Sequence, residues 1–213
     1  MDKEKKIIIR PEYSAVATKN PDRPSRAAQA VIEDFKEKKV KKVVEIGCGL
    51  LANTPHILNA FPFVILVDTK YQYQRIKGKL DELSSVSPSF KKFIDTNSFQ
   101  NEGLRLDGAI VINVLHVLPT VRGRIRLLTN IHQNLKEKGF IFIDVPHNET
   151  YYRDLVKTAK SHKDGYIMKR GNYFTFYKNM TFDELNGYTD KAGYKLIRRI
   201  YLDHRITFVC QKS

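Results

Sequence analysis

Val43-Val44-Glu45-Ile46-Gly47-Cys48-Gly49 decides how this chain is read. Three of its first four residues are apolar and β-branched, which predicts a buried strand that runs directly into a glycine turn. Gly47 and Gly49 have no Cβ, so the backbone there can turn tightly and a ligand can approach it closely. Thr54-Pro55 then predicts a helix start, with Thr54 as N-cap and Pro55 in the first helical position. Ile57, Leu58 and Phe61 follow at helical spacing, and the apolar run Phe63-Val64-Ile65-Leu66-Val67 ends in Asp68, about 20 residues beyond the turn. Strand, glycine turn, helix, strand and terminal acid form the layout of a nucleotide-cofactor site in a βαβ unit, with Asp68 placed to accept hydrogen bonds from ribose hydroxyls.

The glycines alone leave two cofactor families open, because Gly47-x-Gly49-x-x-Ala52 also satisfies the dinucleotide fingerprint. Glu45 favours the other family, since it puts a carboxylate where dinucleotide folds keep an apolar residue. So does the C-terminus, where Tyr194 to Tyr201 and Arg205 to Lys212 read as an antiparallel strand pair. The sequence resembles the class I S-adenosylmethionine (SAM)-dependent methyltransferases. Glu45-Ile46-Gly47-Cys48-Gly49 is similar to their first motif and Val67-Asp68 to their second. The resemblance covers roughly residues 24–212 and implies an α/β fold. That fold is a three-layer α-β-α sandwich with a seven-stranded, mostly parallel sheet and an antiparallel last strand. It implies SAM as cofactor, S-adenosylhomocysteine as product, and cofactor contacts from Glu45, Gly47, Cys48, Gly49, Asp68, Asp95 and Asn113. Many members have a third glycine where this chain has Leu51.

The remaining segments follow that order. Ser25 to Lys38 reads as an amphipathic helix, Tyr71 to Leu83 as a second, and Lys91 to Asp95 as a short strand. Asp107-Gly108 opens a strand at Ala109 to Val114, and Arg122 to Leu135 reads as a helix stopped by Lys138-Gly139. Phe140 to Val145 is a further buried strand. Thr181 and Glu184 have the spacing of a capping box. Residues 1–23 read as an N-terminal arm and 24–213 as one domain, with a substrate-facing insert at about 146–180.

With 213 residues, 42% of them hydrophobic, the chain can bury one core. No apolar run approaches the ~20 residues needed to span a bilayer, so no membrane partner is expected. No signal peptide is expected either, which makes the cytoplasm the expected location. Cys48 and Cys210 are too few and too far apart for a disulfide framework or a metal site, and no metal is expected. The formal charge of +14 is concentrated in the flanks, residues 1–42 and 148–213, and is the footprint expected of a nucleic-acid binder.

The insert interleaves aromatic and basic residues, which suits base stacking beside phosphate contact. Tyr151, Tyr152, Arg170 and Tyr173, together with Arg26, are the substrate-binding candidates. The same residues equally suit ordinary packing. His116 and His147 follow two strand ends and are the candidate catalytic bases. Asn113-Val114-Leu115-His116 is not the Asp/Asn-Pro-Pro-aromatic motif of amino-directed DNA methyltransferases. The leading expectation is a methyltransferase acting on RNA, DNA or a nucleotide-bearing substrate through the basic flanks. The alternatives are a small-molecule methyltransferase, a non-catalytic scaffold of the same fold and, more distantly, a nicotinamide-dependent oxidoreductase.

Overall fold

The computed structural model describes residues 8–14, 23–148, 153–154 and 156–213, apart from the side chains of Glu12 and Arg170. Its strands are β1 (Lys42–Ile46), β2 (Phe63–Asp68), β3 (Phe90–Asp95), β4 (Leu106–Ile112), β5 (Leu135–Pro146), β6 (Lys160–His162), β7 (Gly165–Arg170), β8 (Tyr173–Tyr177), β9 (Tyr194–Ile200) and β10 (Arg205–Lys212). Its helices are α1 (Arg26–Glu37), α2 (Thr54–Ala60), α3 (Lys70–Val86), α4 (Val121–Asn134) and α5 (Phe182–Lys191).

Seven strands form one sheet in the order β3-β2-β1-β4-β5-β10-β9. β1 pairs in parallel with both β2 and β4, and β10 is antiparallel to its neighbours β5 and β9. Successive residues of a strand face opposite sides, and both sides are covered. Val43, Val64 and Leu66 pack under α1, α2 and α3, whereas Val44, Ile65 and Val67 pack under α4 and α5. Burial on both faces is why the central strands are apolar runs without alternation.

Local signals set most boundaries. Ser25, Thr69, Thr120 and Thr181 each cap a helix through the side-chain oxygen, and Thr181 with Glu184 completes the expected capping box. Two expectations are corrected. The N-cap of α2 is Asn53, and Thr54 is already helical because its hydroxyl is taken by Glu45 at 2.7 Å. Lys138-Gly139 does not stop a helix. α4 ends at Asn134, whose side chain bonds the Phe99 carbonyl at 2.8 Å and the Leu104 amide at 3.1 Å, and β5 begins at once. Lys138 and Gly139 lie within β5, where the pairing with β4 shifts register.

The insert folds as a small antiparallel sheet, β6-β7-β8, and Ile9 of the arm bridges to Phe174 on β8. Arg124 of α4 fastens this sheet to the main body. It is fully buried, and its five N–H donors all find acceptors: the Leu115 and Leu118 carbonyls, Tyr188 Oη, and both oxygens of Asp164 in the β6–β7 turn. Among the described residues, no helix is long and apolar enough to cross a membrane. Replacing Arg124 by Leu strands Asp164 and two carbonyls. The expected loss is about 3–5 kcal/mol in denaturant unfolding, and Arg124→Lys recovers only part of it because three donors replace five.

Candidate cofactor and acceptor site

A cavity of about 760 Å³ opens at the C-terminal ends of β1, β2 and β4. Sheet order reverses between β2 and β4 on either side of β1, and this is where open α/β sheets bind ligands. The glycine turn forms one wall. Gly47 has φ +70°, and a Cβ there would lie 2.5 Å from Val114 Cγ2, so the position demands glycine for both conformation and space. Gly49 has φ +55°. Leu51, where the resemblance leads one to expect a third glycine, adopts φ +65° with an L side chain, so the turn keeps its left-handed course without that glycine.

Asp68 organises the turn. Its Oδ2 accepts the Gly49 N–H at 2.8 Å and its Oδ1 the Thr69 N–H at 2.7 Å, while Gln72 Nε2 donates to the Gly49 carbonyl at 2.5 Å. A carboxylate offers about four acceptor positions, so Asp68 can hold the turn and accept from a ribose as well. Cys48 also lines the cavity. Burial, then the neighbouring Asp68 and Glu45 carboxylates, push its thiol well above the usual range, which keeps it protonated and unreactive.

Glu45 is buried in β1 and faces the cavity. Burial raises its carboxyl from 4.5 to about 8, with Thr54 opposing the shift and Asp68 adding to it. The wall chemistry suits a ligand that carries hydroxyls and positive charge. SAM, with its ribose, ammonium and sulfonium, fits that set: Asp68 would hold the ribose, and Glu45, protonated without ligand, would ionise against the cationic part.

At the opposite wall, Asn113 has φ +60° and its Oδ1 accepts from Arg205 Nη2. Arg205 is held by Asp144, which is fully buried in β5 and also accepts from Thr207 Oγ1 at 2.7 Å. Arg205 has only donors to offer, so the Asn113 carbonyl oxygen must face it, and the amide nitrogen is left for the cavity. Asp144, Arg205 and Thr207 were not anticipated from the sequence. Asp144 carries the same mark as Glu45, a lone acid inside an apolar strand.

His116 lines the cavity and is buried. Burial, then Arg205 and Arg124, lower its imidazolium from 6.5 to about 3. The ring is therefore neutral at physiological pH and serves as a hydrogen-bond group, not as a store for a proton. His147 stands outside the cavity lining, with Nδ1 on the Met180 carbonyl at 2.8 Å and Nε2 against Asn148 at 3.1 Å. Asp95 also lies outside it. Its Oδ1 caps the Asn97 amide at 2.9 Å, and Thr96 and Asn97 form the wall instead. Arg26 makes an exposed ion pair with Asp203 away from the cavity. Tyr173 is spent on a stack with Tyr13, 3.8 Å between ring centres. Arg170 takes part through its backbone in the β7–β8 hairpin, its side chain lying outside the description, and Tyr151 and Tyr152 fall outside the described residues.

Sheet order, the antiparallel β10 and a glycine turn faced by an acid define a class I SAM-dependent methyltransferase fold. Known proteins agree. Residues 18–198 match the family model described as "Methyltransferase domain", and the chain belongs to that family. A curated relative, the uncharacterized protein YmfD of Escherichia coli (strain K12), is 25% identical over 140 residues, which span 63% of each chain. Among solved structures, a SAM-dependent methyltransferase from Clostridium acetobutylicum superposes with TM-score 0.66 at 11% identity, covering 90% of this chain and 93% of its own. The 1,6-didemethyltoxoflavin-N1-methyltransferase of Burkholderia thailandensis, solved with that compound and S-adenosylhomocysteine, gives 0.63 at 16% identity over 88% and 79%. The magnesium protoporphyrin IX methyltransferase of Synechocystis, solved with S-adenosylhomocysteine, gives 0.64 at 12% over 88% and 83%.

Two tests follow from the geometry. Gly47→Ala should abolish S-adenosylhomocysteine binding by calorimetry while the chain still folds. Glu45 in the folded chain keeps its proton up to about pH 8, whereas the unfolded chain releases it near 4.5. Stability without cofactor therefore falls as pH rises between those values and levels off above. Glu45→Gln should flatten that slope, with a melting-temperature gain at pH 9 that is absent at pH 4.

Proposed function

We propose that the chain transfers a methyl group from SAM to a small, largely uncharged acceptor held in the cavity. SAM supplies an activated methyl sulfonium, so the protein's task is to hold the acceptor atom close and in line, which can contribute ~7–11 kcal/mol. The observation that carries the reading is the state of the insert. Of the insert's described aromatic residues, Phe176 and Tyr177 are buried, and Tyr173, part of it still exposed, lies on Tyr13. The cavity, about 760 Å³ with the cofactor end included, is of the ~300–1,000 Å³ size of small-molecule pockets. Two neighbours of the same fold are named for small-molecule acceptors, 1,6-didemethyltoxoflavin and magnesium protoporphyrin IX, which is consistent.

Within the cavity, Gly47, Gly49 and Asp68 would hold the cofactor. The amide nitrogen of Asn113 would donate to the acceptor molecule, and neutral His116 would accept from it. Arg205 is paired with Asp144, which leaves Arg126 as the other arginine of the lining. A nucleotide-bearing or nucleic-acid acceptor is the second reading, favoured by the charge of +14.

Transfer of labelled methyl from SAM to separated small-molecule, RNA, DNA and protein fractions tests both. The expected result is label in the small-molecule fraction that changes less than about twofold between 50 and 200 mM salt. Nuclease-sensitive label falling by orders of magnitude over that range, as phosphate-driven binding does, would overturn the proposal. Binding of S-adenosylhomocysteine with no label in any fraction would instead favour a scaffold.

A further inference from the structure

The arm segment Ile8–Ser14 adds Pro11 and Ser14 to the cavity wall and joins the insert to α3. On the insert side, Ile9 bridges to Phe174, and the Arg10 N–H donates to the Phe174 carbonyl at 2.7 Å. Tyr13 is the centre of the contact. Its ring stacks on Tyr173, its hydroxyl is hydrogen-bonded to that of Tyr71, and the Arg75 guanidinium lies 5.4 Å from its ring centre. Arg10 in turn sits over Tyr71 at 5.9 Å.

Tyr71 and Arg75 belong to the first turns of α3, directly after Asp68. Gln72, between them, holds the Gly49 carbonyl and accepts from Arg75 Nη1 at 3.0 Å. The arm is thus braced against the helix that positions the glycine turn. It also presents groups to the cavity, since Pro11 and Ser14 line it. Ser14 Oγ is shielded from solvent and, among the described residues, has no hydrogen-bond partner. A hydroxyl in that state loses its solvation and gains nothing in return, unless a ligand supplies the bond.

We infer that Ile8–Ser14 is a strap belonging to the ligand site. Ser14 Oγ hydrogen-bonds the polar ribose and amino-acid half of the bound cofactor, and the Tyr13–Tyr71–Tyr173 latch must open for that cofactor to leave. The inference rests on the SAM reading of the cavity. It adds a contact that the glycine turn and Asp68 do not provide, and it makes cofactor exchange depend on residues outside the βαβ unit.

The test uses the full chain with S-adenosylhomocysteine as probe, reading affinity by calorimetry and dissociation rate by stopped-flow, with melting temperature alongside. Ser14→Ala should weaken affinity about 3- to 10-fold, the equivalent of one hydrogen bond. Tyr13→Ala should speed dissociation about tenfold, the equivalent of the lost stack. Tyr13→Phe, which keeps the stack and loses the Tyr71 contact, should fall between Tyr13→Ala and the wild type and guards against a variant that fails to fold. Wild-type binding with all three variants within twofold of it would overturn the strap and leave the cofactor reading standing. A lower melting temperature with unchanged affinity and off-rate would show a structural role only, and overturns the strap equally. No binding by the wild type would overturn the cofactor reading and the strap with it.

Discussion

A parallel sheet covered by helices on both faces gives its polar side chains no water, and each of them must be answered by protein within a few ångströms. Glu45 in β1 is answered by Thr54 at the head of α2, and Asp144 in β5 by Arg205 and Thr207 of β10. Arg124, buried under the insert, is answered by two carbonyls, Tyr188 and Asp164. Some of the answering groups, Leu118 and Arg205 among them, come from the segments that wall the cavity. Satisfying burial in the sheet and fixing the site geometry are therefore partly one requirement. This is why Thr54 leaves its expected capping role, and why the Asn113 amide has only one allowed orientation.

The same requirement separates what the sequence reveals from what it hides. β1, the glycine turn, β2 and Asp68 were legible because their period, their punctuation and the acid at the strand end are all local. Capping by Thr181 and Glu184 was legible for the same reason. Asp144 was visible as an acid in an apolar strand, but Arg205 is 61 residues away and nothing local pairs them. The insert was ambiguous in a different way. Aromatic residues beside basic ones have the same pattern whether they stack on bases or pack on each other, and the choice is made by tertiary neighbours. Tyr13 meets Tyr71 across 58 residues, a contact that no periodicity announces. Lys138-Gly139 looked like a helix stop, yet Asn134 had already ended the helix by turning its amide to the Phe99 and Leu104 backbone.

Charge shows a similar division. A formal +14 speaks to association and not to the interior. The cavity wall tells a different story, with Glu45 and Asp68 at the cofactor end and an Asp144-paired Arg205 at the other. Most of the basic side chains lie outside the cavity lining, with Arg126 and Arg205 as the arginines that belong to it.

Under the proposed reaction this inventory is coherent. Displacement at an activated sulfonium needs a proton acceptor only when the nucleophile holds its proton tightly. The cavity offers a histidine whose conjugate acid forms only near pH 3, a carboxyl at Glu45 that stays protonated to about pH 8, and a thiol pushed further out of range by burial. The histidine and the thiol are out of range for carrying a proton at neutral pH, and Glu45, which is nearer, is engaged by Thr54 at the cofactor end, whereas Asn113, Asp68 and the glycine turn are each fixed by two or more contacts. Such a site places its free energy in position and not in acid–base chemistry. It suits an acceptor atom that reaches it already nucleophilic, such as a ring nitrogen lone pair or an ionised oxygen, better than an alcohol that must first be deprotonated.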